Sequence, residues 1–137
     1  MRTFVALFLL ALAVSGCGAT AQDSAKEFKG EEKQVAATVE RLETDARADK
    51  AGSVCTVLLS DALLATLKKQ GTTCTTAVKD AIDDADSFDL TVDDVTIAGD
   101  KATVKVISGK GSEKKADTLE LARDGSDWKI AALRAAS

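Results

Sequence analysis

The sequence predicts a single α+β domain in which N-terminal helices pack on a four-stranded antiparallel sheet. Two patterns predict this class. Apolar residues recur at helical spacing from Glu31 to about residue 85, and after Ser87 they alternate with polar residues. Because helices and strands are segregated along the chain, α+β is favoured over an alternating α/β arrangement. The 137 residues suit one domain, and the sequence has no internal repeat.

The first helix is predicted from an apolar stripe with charged residues on the opposite face. Val35, Val39, Leu42 and Ala46 fall at i, i+4, i+7 and i+11. Gly30 is expected to cap this helix, with acidic residues in its first turn, near the positive end of the helix dipole.

Three shorter helices are expected next, each placed by a capping residue. Asp49 is expected to cap the second, Ser60 the third, and Thr72 or Thr73 the fourth. The third is expected to turn three leucines inward and to end at Gly71, and the fourth to run over residues 74–85. The inward leucines are Leu63, Leu64 and Leu67.

Four strands are predicted from period-two patterning interrupted by glycine-containing turns. The first begins at Phe88 and continues past Asp93-Asp94, where we expect a β-bulge. The turns are expected at residues 99–100, 109–112 and 124–126, and the last strand at residues 128–133.

The first seventeen residues have the features of a bacterial lipoprotein signal. Arg2 provides a positive start, and residues 4–14 form an apolar run of 11 residues. That run is shorter than the roughly 20 residues that cross a bilayer as a helix, and it suits a signal peptide. The string Val14-Ser15-Gly16-Cys17 resembles a lipobox, in which the cysteine receives a diacylglyceryl group and the signal is cut just before it.

We therefore expect a signal peptide over residues 1–16 and a lipidated Cys17 with a flexible tether over residues 17–27. A folded domain over residues 28–137 would follow. The acylated Cys17 would partner membrane lipid at the extracytoplasmic face of a bacterial membrane, since two or more acyl chains anchor stably. The alternative is an ordinary cleaved signal with an incidental cysteine.

Cys55 and Cys74 are expected to form one disulfide. Both lie in the exported part of the chain, where oxidation is permitted, and Cys17 is assigned to lipid. A redox pair or a metal site is the alternative, but a third soft ligand and a close two-residue spacing are both missing. No metal or cofactor is expected.

The order of elements and the motif Asp124-Gly125-Ser126-Asp127-Trp128-Lys129-Ile130 resemble small actinobacterial lipoproteins of the nuclear transport factor 2-like superfamily. The resemblance covers about residues 28–134. It implies a strongly curved sheet that wraps the helices into a cone, often with an apolar pocket inside. Residues expected to line that pocket are Trp128, Ile130, Val104 and Phe88. A single tryptophan at a strand start is also typical of a core residue.

Composition excludes several kinds of activity. With no His and no Tyr, a Ser-His-Asp or Cys-His system and a phenol-based oxyanion hole cannot be built. A net charge of −4 without a basic stripe argues against nucleic acid as a partner. The enzymes of the resembled superfamily commonly use His, Asp and Tyr, of which this chain retains Asp alone, and we therefore expect no enzymatic activity.

Two weaker patterns are assigned to solvent-exposed surface. The acidic run from Asp80 to Asp94 lacks the glycine and final glutamate of a calcium loop. The strings Ser112–Lys115 and Ser126–Lys129 have the spacing of a Ser-Lys dyad, but both fall on expected hairpin turns.

The function expected from the sequence is therefore a membrane-anchored, non-catalytic module that binds a small apolar ligand. The alternatives are an envelope protein-interaction domain whose cone is filled by its own side chains, and an enzyme with an Asp base.

Overall fold

The computed structural model describes residues 24–85, 89–109 and 111–135. Within these ranges, the helices come first and a four-stranded antiparallel sheet follows, in which the strands lie side by side in chain order. The α+β class and the simple meander are confirmed.

Helix α1 (Gly30–Arg47) carries the predicted apolar stripe on its buried face. Its N-cap is Lys29, in extended backbone, so Gly30 is the first helical residue rather than the cap. The buried face also contains two acidic residues, Glu43 and Asp45, although charged residues were expected on the opposite face.

After α1 the chain reverses at Asp49, which has a φ of +53° and donates its backbone N–H to the carbonyl of Ala46. The prediction that Asp49 caps the next helix is wrong, because its left-handed conformation closes α1 instead. Helix α2 (Ala51–Ser53) starts after Lys50 and continues directly as a π-helical segment (Val54–Leu58).

Helices α3 (Asp61–Lys69) and α4 (Cys74–Asp84) begin at the predicted caps. The hydroxyl of Ser60 accepts the N–H of Leu63 at 3.2 Å, and that of Thr73 accepts the N–H of Thr76 at 3.2 Å. The leucines expected to face inward on α3 are half-buried instead, because α3 lies at the margin of the fold, against α4 and β4.

The sheet consists of β1 (Leu90–Ala98), β2 (Lys101–Ser108), β3 (Lys115–Asp124) and β4 (Asp127–Ala135). The pairing of β1 with β2 shifts between Val92 and Asp94, which confirms the predicted bulge. A second shift leaves Ala131 as an extra residue in β4, since Glu120 pairs with Ala132 and the next residue, Leu121, pairs with Ile130. Bulges of this kind bend and twist the strands that carry them.

The core lies between α1, the π-helical segment and one face of the sheet, and it is built mainly from valine, leucine and alanine side chains. Val35 and Val39 of α1 are fully buried, as is Val104 of β2. Ile130, also expected to line a pocket, belongs to the same cluster with Val104. Phe88 lies outside the described residues.

The folded domain extends four residues further toward the N-terminus than the sequence suggested. Ser24–Glu27, assigned to the tether, form a 3₁₀ turn whose first two residues are buried. The N–H of Ala25 donates to Oε1 of Glu40 at 2.6 Å, and the N–H of Val92 donates to the Ser24 hydroxyl at 3.2 Å. Small, polar composition concealed this turn, because hydrogen bonds and the burial of one small apolar residue, Ala25, hold it in place.

Candidate functional site

The candidate site is a groove of about 530 Å³ that borders the core, since Leu58 and Trp128 belong to both. Three elements form its walls: the exposed flank of α1, the end of the π-helical segment, and the β3–β4 hairpin. The lining residues are Gln34, Ala37, Thr38, Arg41, Val57, Leu58, Ser126, Asp127, Trp128 and Lys129.

The α1 wall is a stripe at i, i+3, i+4 and i+7, formed by Gln34, Ala37, Thr38 and Arg41. It runs beside the buried stripe, so one helix contributes to both the core and the groove. Ala37 is exposed, and its small side chain leaves space at the middle of this wall.

Hydrogen bonds tie the other two walls together and to α1. The Lys129 ammonium donates to the backbone carbonyl of Val57, and the N–H of Ser60 donates to the carbonyl of Ile130 at 2.9 Å. The Thr38 hydroxyl lies 3.5 Å from the carbonyl of Trp128. These hydrogen bonds thus fix the positions of the three walls relative to one another.

Trp128 is part of both the core and the groove lining, although only 4% of it is exposed. The guanidinium of Arg123 lies 4.5 Å from the centre of its ring, a cation–π arrangement. Arg123 also pairs with Glu31 of α1 and with Asp100 of the β1–β2 turn. The indole Nε1 is buried without a hydrogen-bond partner in the described part of the chain.

Arg41 is held in place by a buried carboxylate. Its Nε donates to Oδ2 of Asp45 at 2.9 Å, and the Ser53 hydroxyl donates to the same oxygen at 2.8 Å. Burial alone would raise the pKa of Asp45, but the hydrogen bonds from Ser53 and Arg41 outweigh burial and hold the pKa below its usual value. Asp45 therefore stays ionised and continues to accept the hydrogen bond from Arg41.

A second buried carboxyl, Glu43, lies on α1 but is not part of the groove. Burial raises its pKa, and the lowering effects of the Arg47 charge and of the Leu90 backbone N–H do not offset it. One of its oxygens, Oε2, has no hydrogen-bond partner among the described residues, while Oε1 accepts from Arg47 at 2.7 Å.

The disulfide predicted between Cys55 and Cys74 is present and joins the π-helical segment to the start of α4. It lies two residues from Ser53, which holds Asp45, and two from Val57, which lines the groove. Segments of π-helix are rare and occur often at functional sites.

Sequence reasoning found one groove residue, Trp128, and missed the rest. The four α1 residues carried a usable signal, a small and polar stripe at helical spacing next to the apolar one. Ser126 and Lys129 lie near these α1 residues because of tertiary packing, and residue spacing in the sequence does not reveal such packing. Cys17 lies outside the described residues.

Of the two Ser-Lys strings singled out in the sequence, the one from Ser126 to Lys129 lines the groove with both of its end residues. Ser112 is in a 3₁₀ turn and Ser126 is in the β3–β4 turn, as expected. Over residues 24–85, 89–109 and 111–135, no three His, Cys, Asp or Glu side chains are grouped so that they could hold a metal ion. In the same residues, no helix has the length and apolar character needed to cross a membrane.

No protein-family model, curated protein or solved structure matches the chain. Its function is therefore argued from the site itself.

Proposed function

We propose that this chain is a lipid-anchored, non-catalytic binding module at the extracytoplasmic face of a bacterial membrane, and that it takes a small ligand in the groove. The observation that carries the proposal is the groove of about 530 Å³ between α1 and the β3–β4 hairpin. Small-molecule sites typically have volumes of about 300–1,000 Å³. Val104 and Ile130, which were expected to line an interior pocket, are instead buried members of the hydrophobic core.

The anchor is supported by the lipobox-like string ending at Cys17. Residues 18–23 separate Cys17 from Ser24, the first described residue of the domain, and this stretch spans at most about 25 Å. An acylated Cys17 would therefore keep the start of the folded domain within about this distance of the membrane surface.

The non-catalytic assignment is supported by the chemistry of the lining. Its carboxylate, Asp127, is exposed, and Glu43, the buried carboxyl with a raised pKa, is not in the lining. A carboxylic acid poised for proton transfer is expected inside a binding site with a perturbed pKa.

The test is native mass spectrometry of the full lipoprotein purified from its own envelope in mild detergent. A small molecule that is released on denaturation is expected. The variant Ala37→Phe, which places a ring in the groove from an exposed helical position, should lose that molecule. Ala65→Phe is the matched control, since Ala65 is an exposed alanine within α3 and does not line the groove. A bare protein mass, or equal retention by both variants, would refute the proposal.

A second candidate, recognition of an envelope protein, is favoured by one observation. Leu133 pairs across the sheet with the buried Leu119 and so lies on the inward face, yet it is 68% exposed. Crosslinking in intact cells tests this alternative: a protein adduct lost in Leu133→Ser and retained in Ala37→Phe would favour it over the ligand site.

A further inference from the structure

We propose that the groove binds the carboxylate of a small amphipathic acid, with Arg41 as the anchor of that carboxylate. The inference rests on the proposed function, because it names the chemical class of ligand for the same groove.

Arg41 is positioned before any ligand arrives. Its Nε is fixed by Asp45, which is 2% exposed and is itself held by Ser53. A guanidinium has five N–H donors in one plane, so this contact leaves four for other partners. In the portion of the chain that the structure describes, Arg41 makes no second hydrogen bond or ion pair.

This geometry favours a carboxylate. The two terminal nitrogens of an arginine present parallel donors that match the two oxygens of a carboxylate. Because Asp45 already restricts the side chain, less conformational entropy is lost when a ligand binds. Arg41 is also 54% exposed, so the terminal nitrogens are accessible from the groove that the side chain lines.

The remaining charges restrict the ligand further. Lys129 adds a second cation on the hairpin wall, and its ammonium is oriented by the carbonyl of Val57. Asp127, two residues before it, would repel a ligand that carries several negative charges. A monocarboxylate suits this combination better than a polyanion.

The apolar part of the lining favours a ligand that also has an apolar group. Ala37 and Val57 are exposed apolar residues of the lining, Val57 at 44%, and Leu58 and Trp128 line the groove from the core. Covering such surface with a hydrocarbon group is favourable by about 25 cal/mol per Å². The expected ligand is therefore a carboxylate at one end and apolar at the other.

The sole tryptophan of the chain, Trp128, lines the groove and provides the readout. We would titrate the full chain in detergent with hexanoate, hexanamide and hexylamine and follow tryptophan fluorescence. Hexanoate should give a saturable change with an affinity at least about tenfold higher than that of hexanamide, because hydrogen bonds to a charged group are the stronger ones. Hexylamine should bind more weakly than either.

Two arginine variants make the test specific. Arg41→Met should remove the preference for hexanoate over hexanamide. Arg47→Met should keep it: Arg47 is on the same helix and pairs at i−4 with the buried Glu43, but it does not line the groove. Equal affinity for acid and amide, no response to hexanoate, or an unchanged preference in Arg41→Met would each overturn the inference.

The failure of this inference can be told apart from failure of the proposed function. If acid and amide bind equally and Ala37→Phe abolishes both, the groove is a ligand site but Arg41 is not a carboxylate anchor. If the ligand that copurifies from the envelope is also retained by Ala37→Phe, both proposals fail.

Discussion

The Nε of Arg41 lies 2.9 Å from Oδ2 of Asp45, so an arginine that is 54% exposed is joined to a carboxylate that is 2% exposed. The contact links the surface of the groove to the interior of the fold. Ser53 completes it from α2, two residues before the disulfide-bonded Cys55. The orientation of Arg41 thus depends on the buried Asp45 and the half-buried Ser53, neither of which lines the groove.

Replacing Asp45 by Asn should destabilise the fold. The asparagine loses the charge that Arg41 and Ser53 satisfy, and hydrogen bonds to charged groups contribute about 1.5–3 kcal/mol. We expect urea unfolding at pH 7 to show a loss of about 1–2 kcal/mol. Asp80→Asn, at an exposed position within α4, is the control and should leave stability almost unchanged.

The stability lost in Asp45→Asn should depend on pH in a defined way. The folded-state pKa of Asp45 lies below the ordinary 3.8, so its ionised form is stabilised by folding. This contribution is fully present above pH 3.8 and is lost as the pH falls through the folded-state pKa. The stability difference between wild type and Asp45→Asn should therefore be constant near neutrality and shrink in acid; a difference that grows in acid would contradict the assignment.

Replacing Glu43 by Gln, in contrast to Asp45→Asn, should not lower the stability of the fold at pH 7. Its folded-state pKa is raised above 4.5, so folding favours the protonated form, and its contribution to stability falls as the pH rises from 4.5 through the folded-state pKa. Arg47 is 38% exposed and also pairs with Asp89, so it is not left isolated by the change. At pH 7 we expect Glu43→Gln to be at least as stable as wild type by thermal unfolding. A loss above about 1 kcal/mol would show that the Arg47 pair outweighs the cost of burial.

Removing the disulfide should weaken both the fold and the groove. The bridged residues are 19 apart in sequence, and closing a loop of that length contributes about 3 kcal/mol. Cys55→Ser with Cys74→Ser should lose about this much in urea unfolding, and ligand retention should fall because the π-helical wall is no longer fixed. Unchanged stability would mean that the bridge does not constrain the domain.

Replacing Cys17 by Ala should release the protein from membranes, since the acyl chains would have no attachment site. Fractionation and metabolic labelling with a palmitate analogue measure retention and acylation together. Cys17→Ala that is still retained, or a wild-type protein that is not labelled, would contradict the lipid anchor.

Much of the fold could be predicted because local chemistry determines it. The caps at Ser60 and Thr73, the bulge near Asp93 and the hairpin turns depend on neighbours within a few residues. The chain reversal at Asp49 could not be predicted. Aspartate is a common helix N-cap, but here its backbone N–H satisfies the end of α1 instead of starting the next helix.

The groove was harder to predict because it depends on distant residues. Arg41 and Asp45 look like an ordinary exposed i,i+4 pair until the fold buries Asp45 against Ser53. Likewise, Lys129 reaches the carbonyl of Val57, 72 residues earlier in the chain. The local signals were the strand position of Trp128 and the small, polar stripe of α1 at helical spacing.

The central claim, that the groove holds a small ligand, is tested most directly at the indole N–H of Trp128. This single tryptophan gives one indole cross-peak in a ¹H–¹⁵N spectrum of the labelled protein. We would compare protein as isolated from its envelope with the same protein after unfolding, dialysis and refolding. The account predicts that the peak differs between the two samples of wild type and is identical in the two samples of Ala37→Phe. An indole peak at the same position in both wild-type samples would contradict it.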